Sequence, residues 1–288
     1  MLRLTAISVL ALVLSTRLGV QNPPAGTTQP AAHHVAPRGT LRIVTFNVLS
    51  CRYGIDRIVA FLREQDADII CLQETKRGAS VATDQPARIA AALDGMHVVS
   101  ARTFSLPADQ GCDQAILSRY ELTDAATLAL EPGGWVFGVQ ALVKIGGRDL
   151  HVLSVHTHST FRLTAEHVIE SSAMRLREVT HLLETVRKLE GDVIVAGDFN
   201  ATPWMPEYYG ITKTLTDFGK VNEDAKLSFP SHRPSIRIDY MFGKGALEAS
   251  SYEVADVRLS DHRPVVTVVN LAATTSAVSE LWHPAGKK

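Results

Sequence analysis

The chain has 288 residues, 45% hydrophobic and 20% charged, enough for one large core or two small ones. Lys and Arg number 29 and Asp and Glu 30, a formal net charge of −1. That balance excludes a general basic surplus and argues against a protein held to nucleic acid by charge alone, although a local basic patch remains compatible with it.

The chain starts MLRLTAISVLALVLSTRLGV, with Arg3 ahead of an apolar run from Leu4 to Leu14. A run of that length suits the apolar centre of an export signal and is short for a bilayer span. Residues 1–20 are expected to be a signal peptide or an uncleaved N-terminal anchor, and the protein to be exported to a periplasm or secreted. A buried helix opening the domain is the competing reading. Residues 21–40 form a Pro/Thr/Ala/Gly linker with too little apolar surface to fold; its His33 and His34 are expected to be solvated. The ordered domain is expected over 41–270. An Ala/Ser/Thr-rich tail follows over 271–288, docking if at all through Trp282.

From Leu41 the pattern alternates. LRIVTFNVL reads as a strand. Ile55, Ile58, Val59 and Leu62 fall on one helical face, which predicts a helix over 55–65. ADIICLQE is a short buried strand, and Ala87 to Leu93 a weaker helix. MHVVSA, QAILSR, WVFGVQALVKI and RDLHVLSVHTH read as strands, with Gly146-Gly147 as a hairpin turn. Leu163 to Leu189 is the longest helix, with Leu176, Val179, Leu183 and Val186 on one stripe; His167 and His181 on it are expected to be solvated. Strands follow at Val193, Ile238 and Val265, and no internal repeat is visible. Many strands with few helices predict two packed sheets with helices outside. Cys51, Cys71 and Cys112 are an odd set without C-x-x-C spacing, which gives little support to a thiolate zinc site.

Polar residues stop several apolar runs. TFN ends on Asn47, LQE on Glu74 and SVHTH on His158; GDFN carries Asp198 and Asn200, RIDY carries Asp239, and SDHRP carries Asp261 and His262. Side chains two apart on a strand share a face. Asp198 and Asn200 would point together if the strand ran on through Phe199. Oxygen-rich acids and amides favour a hard cation, and histidines provide proton transfer. That inventory fits hydrolysis of a phosphate ester.

In chain order TFNV, LQET, AILSR, VHTH, GDFNATPW, FPSHRPSIRIDYMF and SDHRPV cover Thr45 to Val266. Together they resemble the endonuclease/exonuclease/phosphatase superfamily, also called deoxyribonuclease-I-like. The resemblance implies a four-layer α/β sandwich of two mixed β-sheets flanked by helices, with the site at one edge. It implies Mg²⁺ or Mn²⁺ as cofactor and a phosphate-ester substrate: nucleic acid, a phospholipid headgroup or a small phosphate ester. It makes Glu74 the main metal ligand, with Asn47 beside it and Asp261 near. His158 is then similar to the histidine that stabilises the transition state, Asp198 to the residue that orients or deprotonates water, and Asn200 to its partner at the phosphate. Asp239 looks like the carboxylate holding His262. Whether Asp198 or His262 is the base stays open. Arg119 is a candidate for the site edge, and Trp204 and Tyr208 for the entrance.

Departures from the family pattern narrow the branch. Abasic-site endonucleases follow Asn-Val with an acidic or amide residue and then Gly, where Leu49 and Ser50 stand here; they also carry Tyr in place of His158. The expectation is an exported phosphodiesterase-type hydrolase, monomeric, with no stable membrane span after processing. Two alternatives are a zinc hydrolase of metallo-β-lactamase type using His156 and His158, and a noncatalytic phosphate-ester-binding module.

Overall fold

The computed structural model describes residues 39–271 apart from 79, 102–112, 131–136, 161–163, 223 and 225. The expected signal segment, His33, His34, Cys112 and the tail with Trp282 lie outside the described residues. The elements run β1 (Thr40–Asn47), α1 (Ile55–Gln65), β2 (Ile69–Thr75), α2 (Gln85–Ala92), β3 (His97–Ala101), β4 (Asp113–Ser118), β5 (Leu122–Ala129) and β6 (Phe137–Ile145). They continue with β7 (Arg148–His156), α3 (Ala165–Lys188), β8 (Asp192–Asp198), α4 (Pro206–Thr212), β9 (Thr216–Asp217), β10 (Asp239–Lys244), β11 (Leu247–Val254) and β12 (Val265–Leu271).

The strands form two six-stranded mixed sheets, ordered β11-β12-β1-β2-β4-β3 and β5-β6-β7-β8-β10-β9. Alternation along the strands sorts the side chains into layers. Ile43, Ile69, Cys71, Val152, Ile194, Ala196 and Met241 meet between the sheets. Val44, Phe46, Ile70 and Leu72 face α1 and α2 through Ile58, Leu62 and Ile89. Leu153, Val155, Val193 and Val195 face α3 and α4 through Val179, Leu182 and Ile211. The result is the four-layer sandwich expected from the sequence. Each fully buried side chain of this kind contributes about 1.5–3 kcal/mol.

Local chemistry sets the ends of the elements. Asp84 caps α2 by accepting from the Ala87 N–H at 2.8 Å, with Pro86 in the first turn. Thr164 caps α3 in the same way. Gly146 and Gly147 both have positive φ (57° and 81°) and join β6 to β7 in a two-residue turn.

Four elements went unread in the sequence: β5, β9, β11 and α4. β5 and β11 are outermost strands of their sheets, so they lack the continuous apolar run that marks a central strand. The stripe on α3 also differs. Leu176 is exposed and Leu182 is buried, along with Arg175 and Glu178. Arg119 ion-pairs with Asp66 and lies 3.8 Å from Asp68. Those partners precede β2, whereas Glu74 sits at the other end of that strand, so Arg119 is remote from the site edge. Tyr208 is likewise no entrance residue: it is buried, and its hydroxyl donates to Asp217 Oδ2 at 2.7 Å. Trp204 is exposed. Among the described residues, no helix is long and apolar enough to cross a membrane.

Candidate active site

Three neighbouring strands of the second sheet bring polar residues to one edge. His156 of β7 stands opposite Asp198 of β8 in parallel register, and Asp239 of β10 stands opposite Asp198 in antiparallel register. The facing edge of the first sheet supplies Asn47 at the end of β1, paired in register with Gln73 of β2.

Simple alternation would send Glu74 to the outer face, because Gln73 lies on the inner one. A register shift between Leu72 and Thr75 breaks the alternation, and Glu74 adopts φ of 54°. Such a bulge re-aims a side chain at the cost of local strain. Glu74 thereby reaches Asn47, whose Nδ2 donates to Glu74 Oε1 at 3.0 Å and to Asp198 Oδ2 at 3.1 Å. The Asn47 Oδ1 accepts from the Leu49 N–H at 3.1 Å. In this arrangement Asn47 ties two carboxylates together across the sheets and stands beside Glu74.

Asp198 is 1% exposed and central. Its Oδ1 accepts from the Asn200 N–H at 2.9 Å. Its Oδ2 lies 3.5 Å from His156 Nε2 and 3.6 Å from His262 Nε2. Burial raises the Asp198 pKa, helped by Asp239 and opposed by the two histidines and the Asn200 amide. β8 ends at Asp198, and Phe199 packs edge-on against Tyr240 and Phe242. The strand therefore does not run on through Phe199. Asn200 turns with φ of 47° and its Nδ2 donates to the Thr157 carbonyl at 3.0 Å, so it reaches Asp198 through its backbone.

His262 is 5% exposed, and its ring packs 4.8 Å from that of Phe229. Its Nδ1 donates to Asp239 Oδ2 at 2.9 Å. Asp261 adds negative charge beside it and accepts from the Ser260 hydroxyl at 3.1 Å, with no described contact to Glu74 or Asn47. Burial alone would lower the His262 pKa. The Asp239 and Asp198 charges, the Asp239 hydrogen bond and Asp261 outweigh it and push the value up to about 10. An unfolded histidine titrates near about 6.5. The stabilisation from this group is thus fully present below that pH and is lost as pH rises through the folded value. Melting scans in chelator should show a midpoint that falls from neutral pH toward pH 10. Asp239→Asn should flatten that slope, and an unchanged slope would contradict the pairing.

The two histidines of SVHTH are held differently. β7 ends at His156, and that imidazole lies 3.9 Å from Glu74 Oε1 as well as beside Asp198. His158 is held by its backbone: its N–H donates to Glu178 Oε2 at 2.8 Å, and its carbonyl accepts from Arg175 Nη1 at 3.1 Å. His156 therefore stands with the carboxylates as well, an addition to the expected set: the strand ends at His156, which puts it level with Asp198. Asn47, Glu74, His156, Asp198, Asp239 and His262 converge; Asn200 and Asp261 flank them.

Two donor sets are available to a metal. Glu74, whose side chain is 22% exposed, and Asp198 offer carboxylate oxygens that suit a hard cation. Asp198, Asp239 and His262 have ligand atoms within 4.8 Å of one another, all buried. In that second set the His262 Nδ1 is already engaged by Asp239, which makes it read as a proton relay. The first set fits Mg²⁺ or Mn²⁺ better.

No curated protein matches the chain. Its fold is similar to an endonuclease/exonuclease/phosphatase structure from Bacteroides vulgatus, at 20% identity and a TM-score of 0.66, covering 80% of this chain and 98% of that one. A mannosyl-6-phosphatase from Bacteroides thetaiotaomicron VPI-5482 matches at 17% identity and 0.64, covering 80% and 99%. D. rerio TDP2, humanised by 14 mutations, matches at 16% and 0.62, covering 81% and 100%. At these identities the likeness concerns the fold. A family model for the endonuclease/exonuclease/phosphatase hydrolases also matches residues 44–262, a span that contains every residue of the converging set, and the chain belongs to that family.

Proposed function

We propose that the protein is an exported, divalent-metal-dependent phosphodiesterase that drives water onto phosphorus. The observation that carries this reading is the convergence of Glu74 and Asn47 from one sheet with His156, Asp198, Asp239 and His262 from the other. Export rests on the apolar run at Leu4–Leu14. Glu74, assisted by Asp198, would hold Mg²⁺ or Mn²⁺, which when bound polarises a phosphoryl oxygen.

The chain's own groups do the rest. Asp198 has a raised pKa and a fixed Oδ1, so its Oδ2 is placed to orient water and take its proton. Asp239 holds the His262 ring and keeps it cationic, so its Nε2 can offset charge developing on the phosphoryl group. His156 faces the same oxygens from the opposite side of Asp198. His156→Ala should lower kcat by about 10²–10⁴-fold, the range for a lost proton-transfer or charge-stabilising group. Steady-state kinetics on the variant checks this, and a wild-type kcat would contradict it.

The zinc alternative of metallo-β-lactamase type draws less support, because the family match over residues 44–262 is to the endonuclease/exonuclease/phosphatase family; among the described residues, a buried group that could hold a metal is Asp198, Asp239 and His262. The substrate test is a screen of purified protein with Mg²⁺, Mn²⁺ or Ca²⁺. It should cover DNA, RNA, sphingomyelin, inositol phosphates, bis-p-nitrophenyl phosphate and, given the named Bacteroides phosphatase, mannose 6-phosphate. Metal-dependent cleavage of a diester is expected. Phosphate-ester binding without turnover under every metal would favour the noncatalytic module.

A further inference from the structure

Just beneath the site the layer between the sheets carries a cluster of polar side chains. There Gln73 is 0% exposed, Ser154 0% and Thr45 1%. Gln73 Nε2 donates to Ser154 Oγ at 3.0 Å, across from the first sheet to the second, and to Thr45 Oγ1 at 3.1 Å on the neighbouring strand. Thr45 Oγ1 in turn donates to Gln73 Oε1 at 3.4 Å, and Ser154 Oγ donates to the Leu72 carbonyl at 3.3 Å. The Gln73 carbonyl accepts from the Val48 N–H at 3.0 Å. Every polar group of Gln73 named here is thereby tied to a neighbour.

The next residue is Glu74, at φ of 54° inside the register shift between Leu72 and Thr75. Ser154 lies two positions before His156 on the same face of β7. The crosslink therefore joins the strand that carries Glu74 to the strand that carries His156, one residue before Glu74 and two before His156. The site needs this join. Glu74 belongs to one sheet, and its neighbours Asp198 and His156 belong to the other. A slip by one residue moves a strand by about 3.3 Å, more than the tolerance of a hydrogen-bonded site. Apolar packing between sheets is non-directional and does not fix that register.

We infer that Gln73 is a positioning residue that holds Glu74 against His156 and Asp198 by hydrogen-bonding one sheet to the other. The inference rests on the proposed hydrolase function. Gln73→Met removes the amide at nearly constant volume; the Ser154 hydroxyl keeps the Leu72 carbonyl as partner, and the Thr45 hydroxyl loses its two bonds to Gln73. Leaving one buried hydroxyl unpaired costs about 1–3 kcal/mol.

The test measures thermal midpoint, steady-state kinetics, and Mn²⁺ affinity by calorimetry without substrate. Gln73→Met should stay folded and melt within about ten degrees of wild type. Its kcat should fall about 10–100-fold, the scale of a misplacement near 1 Å, with KM within about threefold. Its Mn²⁺ affinity should fall as well. A folded variant with wild-type kcat and wild-type Mn²⁺ affinity overturns the inference. So does a loss of activity that only follows the loss of folded protein. Should Gln73→Met not fold, Ser154→Ala severs the same crosslink from the second sheet and is held to the same outcomes. If wild type cleaves no phosphate ester, the hydrolase reading fails by itself, and the Mn²⁺ comparison still decides whether Gln73 positions Glu74.

Discussion

Asp198→Asn is expected to lower kcat on a phosphodiester by about 10²–10⁴-fold, with the melting temperature little changed. The amide keeps an oxygen to accept the Asn200 N–H, which now bonds Oδ1 at 2.9 Å. The change falls on the other atom. Asp198 Oδ2 receives the Asn47 amide at 3.1 Å and lies 3.5 and 3.6 Å from the Nε2 atoms of His156 and His262. An NH₂ group there presents a donor to donors and cannot take a proton from water. It also removes one of the charges that raise the His262 pKa, so His262 should titrate lower in the variant. Initial rates across pH and a melting scan check both parts. A rate above a tenth of wild type would remove Asp198 from the chemistry.

The second large effect is on folding. Gly197→Ala is expected to destabilise the protein by about 4 kcal/mol or more, beyond the usual range for point substitutions. Gly197 has φ of 151°, and a Cβ there would stand 1.9 Å from the Val155 carbonyl oxygen. That oxygen belongs to the paired strand: Val155 stands opposite Gly197, one step before His156 and Asp198 meet. No flexible side-chain end is available to move aside. Relief would require β7 and β8 to part where they position the site. Denaturant titration of soluble variant measures this, and a midpoint near that of wild type would show that the strands have slack.

The same region shows what the sequence carried and what it withheld. The layers were legible because Ile43/Val44 and Val152/Leu153 alternate between two apolar surfaces. The Asp239 and His262 contact was legible as two motifs and is present at 2.9 Å. The aim of Glu74 was not, because it depends on a bulge and a positive φ that no local pattern announces. His156 was absent from the expected phosphoesterase set because an apolar run marks where a strand begins better than where it stops. Asp198 and Asn200 would share a face only if the strand ran on through Phe199, and it ends at Asp198. Arg175 and Glu178 carried no signal in the sequence, yet both are fully buried: Arg175 pairs with Glu207 at 2.9 Å, and Arg175 and Glu178 grip the backbone of His158. Charged residues enter a core only when tertiary partners satisfy them, and those partners are distant in sequence.

The most direct measurement is hydrolysis of bis-p-nitrophenyl phosphate by wild type and Glu74→Ala, each with Mg²⁺, after chelation, and after Mg²⁺ is restored. Wild type should cleave the diester, stop on chelation and recover, while Glu74→Ala stays inactive although folded. Turnover that survives chelation, or a Glu74→Ala rate equal to that of wild type, would contradict a hydrolase centred on the Glu74 carboxylate.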